Sequence, residues 1–210
     1  MHLSKTDIQN TPRIKRLNII NSITGVKPAN LIGSISNDGQ TNLAIFSSVI
    51  HLGSNPALLG FISRPSGDVR RHTHENIIAN GFYTINHVHP HFIEKAHYTS
   101  VKFEAEESEF KKCQLTEECL FDFKAPFVKE SRLKIGMKFL EEIPIKANNT
   151  ILVVGEVQHI VVQEEAVDKK GHIDLNQLDS VGISGLNSYY RLEKLAQLPY
   201  ARIAELPDFQ

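Results

Sequence analysis

What most constrains this chain is a close succession of short β-forming runs with few helical stretches between them. Two adjacent runs, Arg132 to Pro144 and Ile151 to Val162, show it most clearly. The second holds Val153, Val154, Val157, Ile160, Val161 and Val162, and β-branched side chains fit a pleated surface better than a helix. Upstream, Leu31 to Ser36 and Thr41 to Leu52 flank Asn37-Asp38-Gly39-Gln40. Asp-Gly between apolar runs predicts a tight hairpin, because Gly accepts positive φ. Alternation along Thr41 to Leu52 puts Leu43, Ile45, Ser47 and Val49 on one face, and Asn42, Ala44, Phe46 and Ser48 on the other. Asn55-Pro56 marks a turn into a strand from Ala57 to Ser63, and Arg64-Pro65-Ser66-Gly67-Asp68 reads as a loop. Phe82 to Val88 and Phe121 to Lys129 complete the predicted strands.

Helices are expected from Thr73 to Asn80, with Thr73 as N-cap and Gly81 as the left-handed stop, from Pro90 to Thr99, and briefly from Ser108 to Cys113. Asp168 to Gly171 reads as a turn, and Asp174 to Arg202 as a short helix with an irregular segment. The first dozen residues read as a loose arm. The division that follows is an arm over 1–16 and one domain over 17–205. Strands so spaced form a barrel or sandwich, not alternating βαβ units. No GxGxxG follows a strand and no Walker A motif is present, so neither a Rossmann nor a P-loop nucleotide site is expected.

A chain of 210 residues with 41 % apolar content can bury a core without disulfide staples. Its 23 Lys plus Arg balance 24 Asp plus Glu, which argues against a nucleic-acid partner needing many uncompensated cations. The polar start and the lack of an apolar run of roughly 20 residues imply neither a secretory signal nor a membrane span. With only Cys113 and Cys119, a reducing, cytoplasmic setting is expected.

The densest polar signal runs from Asn30 to Asn86 and includes Asn30, Ser34, Ser36, Asn42, Ser47, Ser48, Ser63, Arg64, Arg70, Arg71, Thr73 and Asn76. Hydroxyls, amides and arginines on adjacent strands, beside a helix N-terminus, can cradle a phosphate. Spacing alone favours a plainer reading, with Ser47-Ser48 as small interior residues and the arginines as a solvated face.

The order of these segments resembles the flavin reductase-like family, the FMN-binding split barrel. The resemblance rests on Lys27-Pro28-Ala29-Asn30-Leu31-Ile32-Gly33-Ser34-Ile35-Ser36, Asp38-Gly39, Thr41-Asn42-Leu43-Ala44-Ile45-Phe46-Ser47-Ser48 and Asn55-Pro56. It continues through Arg71-His72-Thr73-His74-Glu75-Asn76-Ile77, Gly81-Phe82 and Thr84-Ile85-Asn86. Ser108-Glu109-Phe110, Ile151 to Val161 and Gly185 to Tyr190 extend it over about residues 25–200. The resemblance implies a mainly β, Greek-key split barrel with a few inserted helices, binding FMN. It implies that Asn42, Leu43 and Ala44 border the isoalloxazine edge. Ser47, Ser48, Arg71 and Thr73 would hold the phosphate with help from Arg64, and Tyr189 or Tyr190 would lie near the ring. Asn30, Ser34 and Asn76 complete the candidate set. Arg71 keeps a cation where many relatives carry Lys. Flavin carries the redox chemistry while the protein orients and tunes it, so no side chain is singled out as catalytic.

His87, His89 and His91 alternate, but Pro90 interrupts the strand and no Cys or carboxylate joins them. They read as surface or interface histidines, and no metal site is expected. Cys113 and Cys119 read as small buried residues, and Phe121, Phe123 and Phe127 as core.

Three functions follow. The first is an FMN-dependent oxidoreductase passing electrons from NAD(P)H to free flavin, iron or a partner. The second is a flavoredoxin-type carrier without direct nicotinamide use, and the third a flavin-free barrel that binds an oligonucleotide or protein. The resemblance also implies a homodimer with a flavin at each end of its interface. His87 to Phe92 and Leu186 to Leu198 are the candidate contact segments.

Overall fold

The computed structural model describes residues 1–65, 71–104 and 106–208. Ser66, Gly67 and Asp68 of the expected loop, and Arg70, therefore lie outside the described residues. The chain opens with two helices, α1 (Lys5–Asn10) and α2 (Arg13–Ser22), where a loose arm over the first dozen residues was expected. Ser4 and Asp7 form a reciprocal capping box that starts α1. Neither helix has a buried residue, which is why apolar periodicity gave no signal there.

The strands β1 (Lys27–Pro28), β2 (Asn30–Ile35), β3 (Thr41–Phe46), β4 (Ile50–Ser54) and β5 (Ala57–Ser63) follow. Gly39 turns β2 into β3 at φ 84°. Next come α3 (His72–Asn80), β6 (Phe82–His87), a 3-10 turn over Pro90–Phe92, α4 (Ile93–Tyr98), α5 (Glu109–Lys112), β7 (Glu117–Glu118) and β8 (Phe127–Val128). The two long strands β9 (Leu133–Ile145) and β10 (Thr150–Val162) are followed by β11 (Val181–Ser184) and β12 (Ser188–Arg191).

Seven strands form one sheet in the order β3-β2-β6-β9-β10-β5-β4. Its first and last members, β3 and β4, are joined in sequence by Ser47–Val49, yet they share no ladder. The sheet thus curls into a barrel that is split along one seam. The single strand expected over Thr41 to Leu52 is broken there. Leu43 and Ile45 pack on the outer core while Phe46 and Val49 both pack inside the barrel, so the two-residue alternation fails after Phe46. The Ser48 hydroxyl accepts from the Ile62 N–H at 3.1 Å, occupying a β5 edge position that β4 does not reach.

The barrel interior holds Ile32, Phe61, Ile77, Tyr83, Ile85, Met137 and Val153. The opposite faces of β2 and β3 carry Leu31 and Leu43 into a second cluster with Phe92, Ala96, Phe110 and Ile183, covered by α4, α5 and the small sheet β1-β11-β12. That small sheet replaces the irregular segment expected after Asp174. Phe121 and Asp122 sit at positive φ, so the strand expected from Phe121 shrinks to Phe127–Val128. Phe121 is exposed and stacks on His159, while Phe127 is buried. Cys113 is buried as expected, but Cys119 is exposed.

The histidine run also differs from expectation. His89 is fully buried, its Nδ1–H donating to the Asp179 carbonyl at 3.1 Å and its Nε2 accepting from the Arg132 N–H at 2.9 Å. Val88 and Phe92 are buried beside it, so most of His87 to Phe92 belongs to this chain's own core. Among the described residues no cluster of His, Cys, Asp and Glu could hold a metal ion, and no helix is long and apolar enough to cross a membrane.

Candidate functional site

The barrel seam opens into a groove of about 1320 Å³. Its floor is Ala44, Ile45, Phe46 and Ile62; one end carries Ser47, Ser48, Ser63, Arg64, Arg71 and Thr73; the other carries Asn21, Lys27, Leu186 and Asn187. The segment Thr99 to Phe103 after α4 forms a wall with His97, and Glu109 also lines the space.

At the first end, α3 starts at His72 rather than Thr73, and its N-cap Arg71 offers no side-chain cap. First-turn N–H groups of a helix lack intrahelical partners and carry the positive end of its dipole. Gly81 does close the helix, at φ 79°. Thr73 is free of the capping duty expected of it because its Oγ1 accepts from Asn42 Nδ2 at 2.9 Å. Ser34, fully buried, accepts from Asn42 at 3.4 Å and from Asn76 at 3.2 Å. Ser34 and Asn76 thus hold Asn42 and do not line the groove themselves. The side chains of Ser47 and Arg64 have no hydrogen-bond partner among the described residues, and Arg71 Nε donates weakly to Pro65 O at 3.4 Å. His74 bridges to Glu142 at 2.8 Å, fastening the start of α3 to β9.

Of the candidate residues, Asn42, Ala44, Ser47, Ser48, Arg64, Arg71 and Thr73 converge on this groove. Leu43 instead points its side chain into the outer core, and its N–H donates to Glu109 Oε2 at 2.9 Å. Burial pushes the Glu109 carboxyl up from its ordinary range, against that hydrogen bond. Asn30 is buried at the far end of β2, and neither of its carboxamide atoms has a partner among the described residues. Tyr189 packs behind His97, and Tyr190 is exposed.

Sequence reasoning missed His97, Glu109, Lys27, Lys102, Leu186 and Asn187. Lys27 Nζ donates to Asn21 O at 2.7 Å and Gly185 O at 3.4 Å, tying α2 to the β11–β12 turn. Only tertiary folding brings these distant segments together. The nearest sequence signal was the Ser108-Glu109-Phe110 match. Chemically, the groove offers an anion site of hydroxyls, guanidinium groups and a helix start, followed by an apolar floor able to take a planar ring.

A groove of this kind at the seam of a seven-stranded curled sheet defines a split barrel. The flavin reductase like domain matches residues 26–177. A crystal structure of a proposed flavin reductase with a split barrel domain, from Shewanella frigidimarina, is 50 % identical, with a TM-score of 0.91 over 96 % of this chain and 100 % of that one. An uncharacterized protein of Aquifex aeolicus is 27 % identical over 165 residues, 78 % of this chain and 83 % of its own. The crystal structure of an FMN-binding protein from Thermus thermophilus with bound 1-cyclohex-2-enone shares the fold, with a TM-score of 0.67 at 16 % identity over 83 % of this chain and 91 % of that one. This chain belongs to the flavin reductase-like family.

Proposed function

We propose that this chain is an FMN-dependent oxidoreductase, passing electrons from NAD(P)H through bound flavin to a small acceptor and acting as a homodimer. The observation that carries this reading is the single groove in which Ser47, Arg64, Arg71 and Thr73 surround the start of α3 beside an apolar floor. The donor set suits one phosphate, as FMN requires, and the chain has no adenine-binding fingerprint of the kind FAD sites use. The FMN in the Thermus thermophilus protein of the same fold supports the choice. Bound flavin supplies the hydride and electron chemistry. Arg71, Arg64 and the first turn of α3 hold its phosphate, Asn42 orients Thr73 toward it, and Ala44, Phe46 and Ile62 keep water from one face of the ring. The homodimer is supported by a C-terminal tail whose large apolar side chains lie in water.

The test is to purify the protein, release its chromophore by heat and identify it by chromatography, then to add NADH or NADPH without oxygen. FMN released and bleached by a nicotinamide is the expected result. A colourless protein that takes up no FMN would reject the reading. A yellow protein that neither nicotinamide reduces leaves the flavoredoxin-type carrier.

A further inference from the structure

The groove wall contains an imidazole fixed from behind. His97 sits at the end of α4, anchored by buried Ala96 and by Thr99, whose hydroxyl donates to Ala96 O at 2.7 Å. Its Nδ1 lies 3.1 Å from the Tyr189 hydroxyl, and the two rings meet edge to face at 5.9 Å and 84°. Tyr189 packs on the outer core and is not part of the groove surface, whereas His97 is. The ring edge bearing Nδ1 is therefore turned away from the groove and the edge bearing Nε2 faces it. Burial pushes the Tyr189 hydroxyl up to about 12, so it keeps its proton and can donate it. A neutral His97 that accepts at Nδ1 must carry its proton on Nε2; a cationic His97 carries one there as well. With the Tyr189 hydroxyl as the donor of that bond, the groove meets an N–H donor at Nε2.

We propose that His97 is a fixed Nε2–H donor to an oxygen of the electron acceptor, with Tyr189 as its positioning residue, so that the groove favours carbonyl-bearing acceptors of the quinone or enone class. This rests on the flavin-dependent reading above. α4 packs on β3, the strand that supplies Ala44 and Phe46 to the groove, and Tyr189 pairs with Ile183, itself paired with Lys27, which sets His97 on the Lys27 side of the groove. As electrons arrive from reduced flavin, negative charge grows on the acceptor's carbonyl oxygen, and a preorganised donor lowers the barrier by meeting it. No bond to His97 forms or breaks; the reduced acceptor takes its protons from water.

Two measurements test this. In flavin-free protein, long-range ¹H–¹⁵N NMR of the imidazole should report a proton on Nε2 for His97, and Tyr189→Phe should give a tautomer mixture. In flavin-loaded, prereduced protein, reoxidation by benzoquinone should slow at least about tenfold in His97→Phe. It should recover in part in His97→Gln, whose amide can donate, and slow mildly in Tyr189→Phe. Reoxidation by ferricyanide, which presents no carbonyl oxygen, should slow far less than reoxidation by benzoquinone in all three, each rate being taken per bound flavin. A proton on Nδ1, or equal slowing with both oxidants, overturns the proposal. Failure of the wild-type protein to take up flavin would instead refute the parent reading, and the NMR result still decides the tautomer.

Discussion

Asn42 on β3 donates to Thr73 on α3 at 2.9 Å, and this one hydrogen bond links the barrel wall to the start of the helix that faces the groove. Asn42 is itself held by Ser34, so the geometry of the anion end depends on two buried residues as well as on the groups exposed there. Asn42→Ala should weaken FMN binding about fivefold, the effect of one neutral hydrogen bond lost at about 1 kcal/mol. Arg71→Ala, removing a charged donor, should cost about 1.5–3 kcal/mol of FMN binding. Fluorescence titration separates the two, and thermal melts of the flavin-free proteins should show a drop for Asn42→Ala and little change for Arg71→Ala. Unaltered FMN affinity in Arg71→Ala removes that residue from the phosphate site.

Tyr83 carries a hydroxyl with no partner among the described residues, in the middle of the barrel, packed edge to face on Phe61. Gly155 leaves room for it; a Cβ there would lie 3.0 Å from Tyr83 Cζ. A buried hydroxyl without a partner costs about 1–3 kcal/mol, so Tyr83→Phe should leave stability unchanged or raise it by about 1 kcal/mol in a denaturant titration. Gly155→Ala should destabilise in wild type and less so beside Tyr83→Phe. A loss of 2 kcal/mol or more (about the cost of breaking a satisfied buried bond) in Tyr83→Phe would show that the hydroxyl has a partner.

His87 and His89 are both held down to about 4, chiefly by burial, with the His89 charge adding to the effect on His87 and the Arg132 and His91 charges adding to that on His89; the Asp179 carbonyl acts in the opposite direction. An unfolded imidazole titrates near 6.5. Between those values the unfolded chain takes up protons that the fold refuses, so stability is full above about pH 6.5, falls as pH drops and levels off near 4. One such group can account for up to about 3 kcal/mol. His89→Gln should flatten this dependence in melts run from pH 7 to 4. An unchanged slope would mean that His89 accepts a proton without unfolding.

Legibility in the sequence followed locality. Ala57–Ser63, Gly81 as a helix stop and the Asp38-Gly39 hairpin were readable because each is set by neighbouring residues. Phe121 to Lys129 was not, because positive φ at Phe121 and Asp122 overrides the aromatic alternation that suggested a strand. That Ser47, Arg64, Arg71 and Thr73 meet at one end of the groove was legible because they lie within one stretch of chain. The opposite wall was not: Lys27, His97, Glu109 and Leu186 meet only through pairing of β1 with β11 and packing of α4 and α5 on the outer core. Tyr189 or Tyr190 was expected near the ring; Tyr189 packs behind His97 and Tyr190 is exposed.

The last expectation concerns the C-terminal tail. After β12, Lys194 is tied to Asp174 at 3.2 Å, and beyond it Leu195, Leu198, Tyr200, Ile203 and Leu206 are 72–97 % exposed. Side chains of this size each gain about 1.5–3 kcal/mol when buried, so leaving all five in water on an ordered chain is costly. Two symmetric copies can cover two such tails at once, the commonest form of protein assembly. Leu140, Ile143 and Ile145 on the far half of β9 are apolar, exposed and available to receive them. A chain of 23.6 kDa should therefore scatter light as a dimer. Deleting 195–210 should give a monomer that still melts cooperatively, since none of its described side chains belongs to a core cluster. Leu186 and Asn187 of the groove lie only a few residues before the tail, so flavin content should fall with dimer content over the same protein concentrations. A truncated monomer with full flavin would separate the two, leaving the tail responsible for assembly and the groove complete within one chain. A truncated protein that remains dimeric would place the interface elsewhere, with the sheet face around Ile143 as the first surface to probe by an Ile143→Lys substitution.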